Sequence, residues 1–163
     1  MKIAIGCDHA GIDIKDEVIR VLKDLKVEIV DCGTNTHDSV DYPIYGEKVA
    51  NLVASKEVDA GILMCGTGIG ISISANKVKG IRCAVVTDVY TAKMTKEHNN
   101  ANIIALGSRV LKKEAVEEII KAWFNAEFLG DKHLKRINII ADIENKKIIS
   151  GNLTLGNAKR KNV

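Results

Sequence analysis

Ile62-Leu63-Met64-Cys65-Gly66-Thr67-Gly68-Ile69-Gly70-Ile71-Ser72 joins an apolar run to a glycine alternation, and this junction sets the fold. The run ending at Met64 reads as a buried strand, and the glycines strip side chains from the backbone where a helix must start, near Ile69. Gly66, Gly68 and Gly70 let successive N–H groups turn toward one small anion, and the first helical turn adds its positive dipole end. Cys65 stands at the mouth of this cradle, where N–H dipoles favour thiolate over thiol. A base or nucleophile and an oxyanion hole thus fall within six residues.

Familiar nucleotide loops do not fit. A P-loop needs Lys and then Ser or Thr after its last glycine, where this chain has Ile71-Ser72. A dinucleotide fingerprint needs G-x-G-x-x-G, whereas the run here is G-x-G-x-G, even with Asp88 placed as a ribose-binding acid would be. An ordinary βα turn without a ligand is the remaining alternative, but three glycines lose more backbone entropy on folding than such a turn requires.

With 163 residues the chain suits one domain that buries about two thirds of its unfolded surface. Lys and Arg total 24 against 21 Asp and Glu, and a net charge of +3 spread along the chain argues against nucleic acid as a partner. The cysteines at 7, 32, 65 and 83 form no C-x-x-C pair, so neither a disulfide framework nor a metal site is expected. Met1-Lys2-Ile3-Ala4-Ile5 begins a strand at once, and no apolar run approaches the roughly 18 residues of a membrane helix. The expectation is a cytoplasmic protein that makes no membrane contact.

Outward from the central stretch, strands are expected at 2–6, 27–30, 60–64, 83–86 and 103–106. Helices are expected at 12–26, from Pro43 to 55, and over 69–76, 88–97, 113–124 and 131–142. Ile14, Val18, Val21, Leu22 and Leu25 share one face of the first helix. This alternation predicts an α/β fold of three layers, Rossmann-like or flavodoxin-like, around a five-stranded parallel sheet within a single domain over 1–144. The polar stretch 145–163 reads as a poorly ordered tail. In such sheets ligands bind where strand order reverses, beyond the carboxyl ends of the first and third strands. Those ends are Cys7-Asp8-His9 and 65–70, the two most chemically loaded loops of the sequence.

Gly6-Cys7-Asp8-His9, Asp41-Tyr42-Pro43, the Cys65 to Gly70 loop, His98-Asn99, Asn102 and Gly107-Ser108-Arg109, in this order, resemble the type B ribose-5-phosphate isomerases. The resemblance runs from residue 2 to about 144, in a superfamily that also holds galactose-6-phosphate isomerase subunits. It implies metal-free, cofactor-free interconversion of ribose 5-phosphate and ribulose 5-phosphate through an enediolate. Galactose 6-phosphate, allose 6-phosphate or a free aldose is the alternative substrate. By the same resemblance Cys65 is the base, and Thr67 with the N–H groups of Gly66, Gly68 and Gly70 steadies the enediolate oxygen. His98 opens the sugar ring and Asp8 holds sugar hydroxyls; His9, Arg109 and Arg136 bind phosphate, and Tyr42 and Asn99 line the sugar. Lys132 stands where many members have arginine, keeping the charge without the bidentate fork.

The resemblance further implies a homodimer, or a tetramer built from it, with sites shared between chains. Asp8, His9, Cys65 and Thr67 would come from one chain, and His98, Asn99 and Arg109 from its neighbour. Topology agrees for His98, which precedes the fifth strand and so lies at the sheet edge opposite Cys65. His37 and His133 read as surface residues. A non-catalytic phosphate sensor and a thiol redox protein are the competing classes; the second lacks a resolving cysteine near Cys65.

Overall fold

The computed structural model describes residues 1–146. The tail expected over 145–163 lies, from Lys147 onward, outside the described residues. Strands β1 (Lys2–Cys7), β2 (Glu28–Asp31), β3 (Ala60–Cys65), β4 (Cys83–Val85) and β5 (Ile103–Gly107) form one parallel sheet in the order β2-β1-β3-β5-β4. Between and after them run α1 (Ile12–Asp24), α2 (Tyr42–Ala54), α3 (Ile69–Ala75), α4 (Val89–Glu97), α5 (Lys113–Asn125) and α6 (Asp131–Glu144).

The layers follow from the period of two along each central strand. Ile3, Ile5, Ile62, Met64, Ile104 and Leu106 meet α1 and α5 on one face, with Val18, Leu22, Ile119 and Trp123 opposite them. Ala4, Leu63, Cys65, Ile103 and Ala105 meet α2 and α3 on the other, against Val49, Val53 and Ile71. A sheet covered on both faces needs the near-continuous apolar strands seen in β1, β3 and β5.

The reversal of strand order between β1 and β3 is where the sequence places it. The last two strands are exchanged relative to the flavodoxin order: β5 lies beside β3, and β4 is the edge. Burial matches the exchange: all five residues of β5 are buried, whereas the three of β4 are only half-buried. Pro43 lies in the first turn of α2, and the Asp88 carboxylate caps α4 by accepting from the Thr91 N–H at 2.7 Å. That bond, the largest of several, holds the Asp88 carboxyl below its ordinary range.

Candidate active site

The Cys65 to Gly70 loop leaves the carboxyl end of β3 as a tight cradle. Gly68 has φ +76°, a left-handed conformation that favours glycine, and its N–H donates to Cys65 Sγ at 3.1 Å. Cys65 itself is only 5% exposed, so its sulfur lies in the wall of the cradle, deeper than the mouth where the sequence places it. Thr67 is exposed, and its Oγ1 accepts from the Ile69 N–H at 3.3 Å, which leaves the hydroxyl proton to point outward. Among the described residues, the N–H groups of Thr67, Gly70 and Ile71 donate to no protein acceptor. These open donors are what an anion cradle requires. The helix behind them, α3, has only seven residues, so the local N–H groups outweigh its dipole.

Burial pushes the Cys7 thiol up to about 11 and Cys83 up to about 12, and raises Cys32 as well, so all three stay protonated at neutral pH.

Four neighbours complete this edge. Buried Asp8 accepts at Oδ1 from the N–H groups of Ala10 and Gly11, at 3.0 and 2.9 Å, which leaves Oδ2 for another donor. His9 accepts at Nδ1 from the Val40 N–H at 3.2 Å, so in the neutral ring the proton sits on Nε2. Tyr42 lies over Gly70 so closely that a Cβ there would come within 2.6 Å of the ring. Arg109 donates its N–H to the Gly66 carbonyl at 3.0 Å, and its Nη1 stands 3.2 Å from where a Gly66 Cβ would be. The assignment of Arg109 to the neighbouring chain is therefore corrected: β3 and β5 are paired, Cys65 opposite Gly107, so Arg109 leaves the sheet beside its own chain's Cys65. Ser108 ties this turn to the first loop, donating from Oγ to the Ala10 carbonyl at 2.7 Å.

Gly107 has no room for a side chain, because a Cβ would fall 2.7 Å from the Thr67 carbonyl carbon. Backbone lies on both sides of that contact, so neither can yield as a side chain would. Gly107→Ala is expected to destabilise the fold by about 1–3 kcal/mol and to displace Thr67. A fall in both melting temperature and kcat checks it, and a wild-type melting temperature would contradict it.

The remaining expected residues form a second group at the opposite edge. The Gly61 N–H bonds to the Asn102 carbonyl at 3.0 Å at the start of β3, while Cys65 ends that strand. The two edges are thus about 13 Å apart along the sheet. His98 ends α4 and stacks on His133, ring centroids 4.2 Å apart and planes within 6°. Lys132 and Arg136, both exposed, flank His133 on α6, and Asn99 lines a cavity of about 500 Å³ with Arg82, Ile140 and Ile143. Arg82 holds the turn after His98 by donating to the Asn99 and Asn100 carbonyls at 3.0 and 2.8 Å.

His133 is a second correction. It is 7% exposed rather than a surface residue, because the Leu129 N–H bonds to Glu97 and brings α6 against the end of α4. Burial, then the positive charges of His98, Lys132 and Arg136, lower its pKa from the ordinary 6.5, with Asp131 opposing. The unfolded chain therefore takes up this proton first as pH falls through 6.5, so His133 is neutral to stability above that value and erodes it below. His133→Phe, which keeps a stacking ring without a proton site, is expected to flatten the acid-side loss in melts from about pH 7.5 to 5.5.

The sheet's switch point, a loop with open N–H donors and a buried cysteine with a donor on its sulfur define an α/β protein with a cradle suited to a small anion beside a thiol. Residues 3–140 match the Ribose/Galactose Isomerase family. Over 146 residues the chain is 45% identical to the ribose-5-phosphate isomerase B of Escherichia coli K12, covering 90% of this chain and 98% of that one. It is 46% identical over 154 residues to the galactose-6-phosphate isomerase subunit LacB of Clostridium acetobutylicum, covering 93% and 89%. The structure of Clostridium thermocellum ribose-5-phosphate isomerase B superposes with a TM-score of 0.88 at 51% identity, covering 90% of this chain and 99% of that one. The chain belongs to the Ribose/Galactose Isomerase family.

Sequence reading missed Lys15, Val40 and the buried state of His133, and it gave Ser108 no role of its own. Lys15 lies beside the apolar stripe of α1, and Asp31 ends the neighbouring strand; that pairing of charges was the available signal.

Proposed function

We propose that this chain is an aldose–ketose isomerase that interconverts ribose 5-phosphate and ribulose 5-phosphate through an enediolate. The observation that carries the reading is the Gly68 N–H aimed at Cys65 Sγ in a loop with further donors open. Cys65 takes the proton from C2 of the open-chain aldose and returns it to C1, while the O2 hydroxyl proton passes to O1, so that the ketose forms with no net gain or loss of protons. Thr67 and the loop N–H groups hold the oxygen on which charge develops, where fixed donors contribute most. Asp8 accepts a sugar hydroxyl at Oδ2, Tyr42 borders the sugar, and His9 and Arg109 hold phosphate from this edge.

His98, which opens the ring, reaches that edge from a second copy of the chain, together with Asn99, Lys132 and Arg136. The homodimer is supported by the division of these residues between two edges of one sheet. No metal or organic cofactor takes part in the proposed steps, and the enzyme would work in the cytoplasm. In support, no helix among the described residues is long and apolar enough to cross a membrane.

A hexose phosphate is the second reading, because the galactose-6-phosphate isomerase subunit of Clostridium acetobutylicum, at 46% identity, is as similar to this chain as the Escherichia coli ribose-5-phosphate isomerase B, at 45%. The test is to follow ketose formation by the pure protein from ribose 5-phosphate and from galactose 6-phosphate. A higher kcat/KM on the pentose supports the proposal. A higher value on the hexose replaces it, and no turnover of either sugar removes the isomerase reading.

A further inference from the structure

We infer that Lys15 is a positioning residue for phosphate recognition, acting through the loop that fixes the His9 ring. The inference rests on the reading of His9 as a phosphate ligand.

Lys15 lies on α1 with its side chain 7% exposed, and its three ammonium protons have three acceptors. These are Asp31 Oδ2 at 2.8 Å, the Thr34 carbonyl at 3.0 Å and Asn35 Oδ1 at 2.7 Å. A buried lysine is an expensive way to fill space, since an apolar side chain of its volume commonly serves stability as well or better. What it does here is hold the beginning of the loop between β2 and α2.

That loop has two sets of long-range bonds among the described residues. At its start, Cys32 and Thr34 donate to the Ile5 and Cys7 carbonyls, and Lys15 reaches in from α1. At its end, the Val40 N–H meets His9 Nδ1. Between them Thr36 and Asp38 bond only to each other and to Thr34. Val40 lies six residues beyond Thr34 and two before α2, so the loop start and the helix hold it from its two sides, and the tautomer and aim of His9 depend on both anchors staying in place. Without Lys15 the strand-end bonds at Cys32 and Thr34 remain, so the fold survives while the loop slackens.

The test compares wild type, Lys15→Met, His9→Ala and the double variant, with inorganic phosphate as the probe. Imidazole 15N–1H correlation spectra give the state of the His9 ring, its signal assigned by absence in His9→Ala. Lys15→Met is expected to weaken phosphate binding roughly three- to tenfold, about the worth of one hydrogen bond, and to shift His9 from the single Nε2–H form toward a mixture. In the His9→Ala background the same change should add less than about twofold, because coupled residues are non-additive. Lys15→Arg should restore the wild-type His9 signal. Should Lys15→Met fail to fold, Asn35→Ala removes one of the three acceptors from an exposed position and should shift the His9 signal in the same direction. An unchanged His9 signal in the folded variant, or equal loss of phosphate affinity with and without His9, overturns the inference. If His9→Ala binds phosphate as wild type does, the phosphate role of His9 falls instead, and the ring signal still decides whether Lys15 holds it.

Discussion

Cys65→Ala is expected to lower kcat by roughly a hundredfold to ten-thousandfold while leaving affinity for the sugar phosphate close to wild type. On the proposed mechanism the variant loses the group that moves the proton, whereas the phosphate contacts assigned to His9 and Arg109 stay in place. None of the other cysteines can substitute. Cys7 and Cys32 are buried and Cys83 lies on the edge strand, all three held as neutral thiols. Only at Cys65 does a backbone N–H in the cradle meet the sulfur. Steady-state kinetics together with calorimetric binding of ribulose 5-phosphate make the measurement. A kcat near that of the wild type would place the base elsewhere.

A 1:1 mixture of Cys65→Ala and His98→Ala chains, each inactive alone, is expected to recover about a quarter of wild-type activity after complete exchange of subunits. The argument is geometric. Cys65 ends β3, and His98 precedes β5 at the other end of the sheet, so the proposed site takes the two from different chains. In a two-fold dimer each site takes one group from each chain. Half of the randomly formed dimers then contain one site with both groups intact and one site with neither. The assay is co-refolding at equal concentration, with exchange verified separately. No recovery would put both groups on one chain and refute the shared site.

Much of this was legible because glycine and apolar residues report backbone geometry directly. The Ile62 to Ser72 stretch announces a buried strand and a helix start near Ile69, and both are present, whereas the left-handed turn at Gly68 emerges only in the structure. The parallel sheet was legible from short apolar strands alternating with amphipathic segments. The exchange of β4 and β5 was not, because both are short apolar runs and only their burial on folding tells a centre from an edge. The resemblance grouped Arg109 with His98 on the neighbouring chain, but β5 carries the backbone across the sheet between them and leaves Arg109 on the edge of its own chain's Cys65. His133 sits among polar residues on α6, and its burial depends on a contact with the end of α4 that local sequence does not encode. Lys15 was hidden by its own charge, since a lysine beside an apolar stripe ordinarily snorkels to solvent.

Interior strand β5 has the His98 turn before one end and Arg109 beyond the other, and all five residues of the strand are buried. If sites are shared, a single β5 strand serves both sites of its dimer, one from each end. A lesion confined to one end, such as the loss of His98, is complemented by a partner carrying a lesion at the other. Damage to the packing of the strand itself, at Ile104 or Leu106, has no such remedy, because it reaches both sites through one chain. In a cell carrying intact and damaged copies of the gene in equal amount, only about a quarter of dimers would be free of the damaged chain. In genetic terms, half-site alleles would be recessive and mutually complementing, whereas core alleles of β5 that still assemble would be dominant.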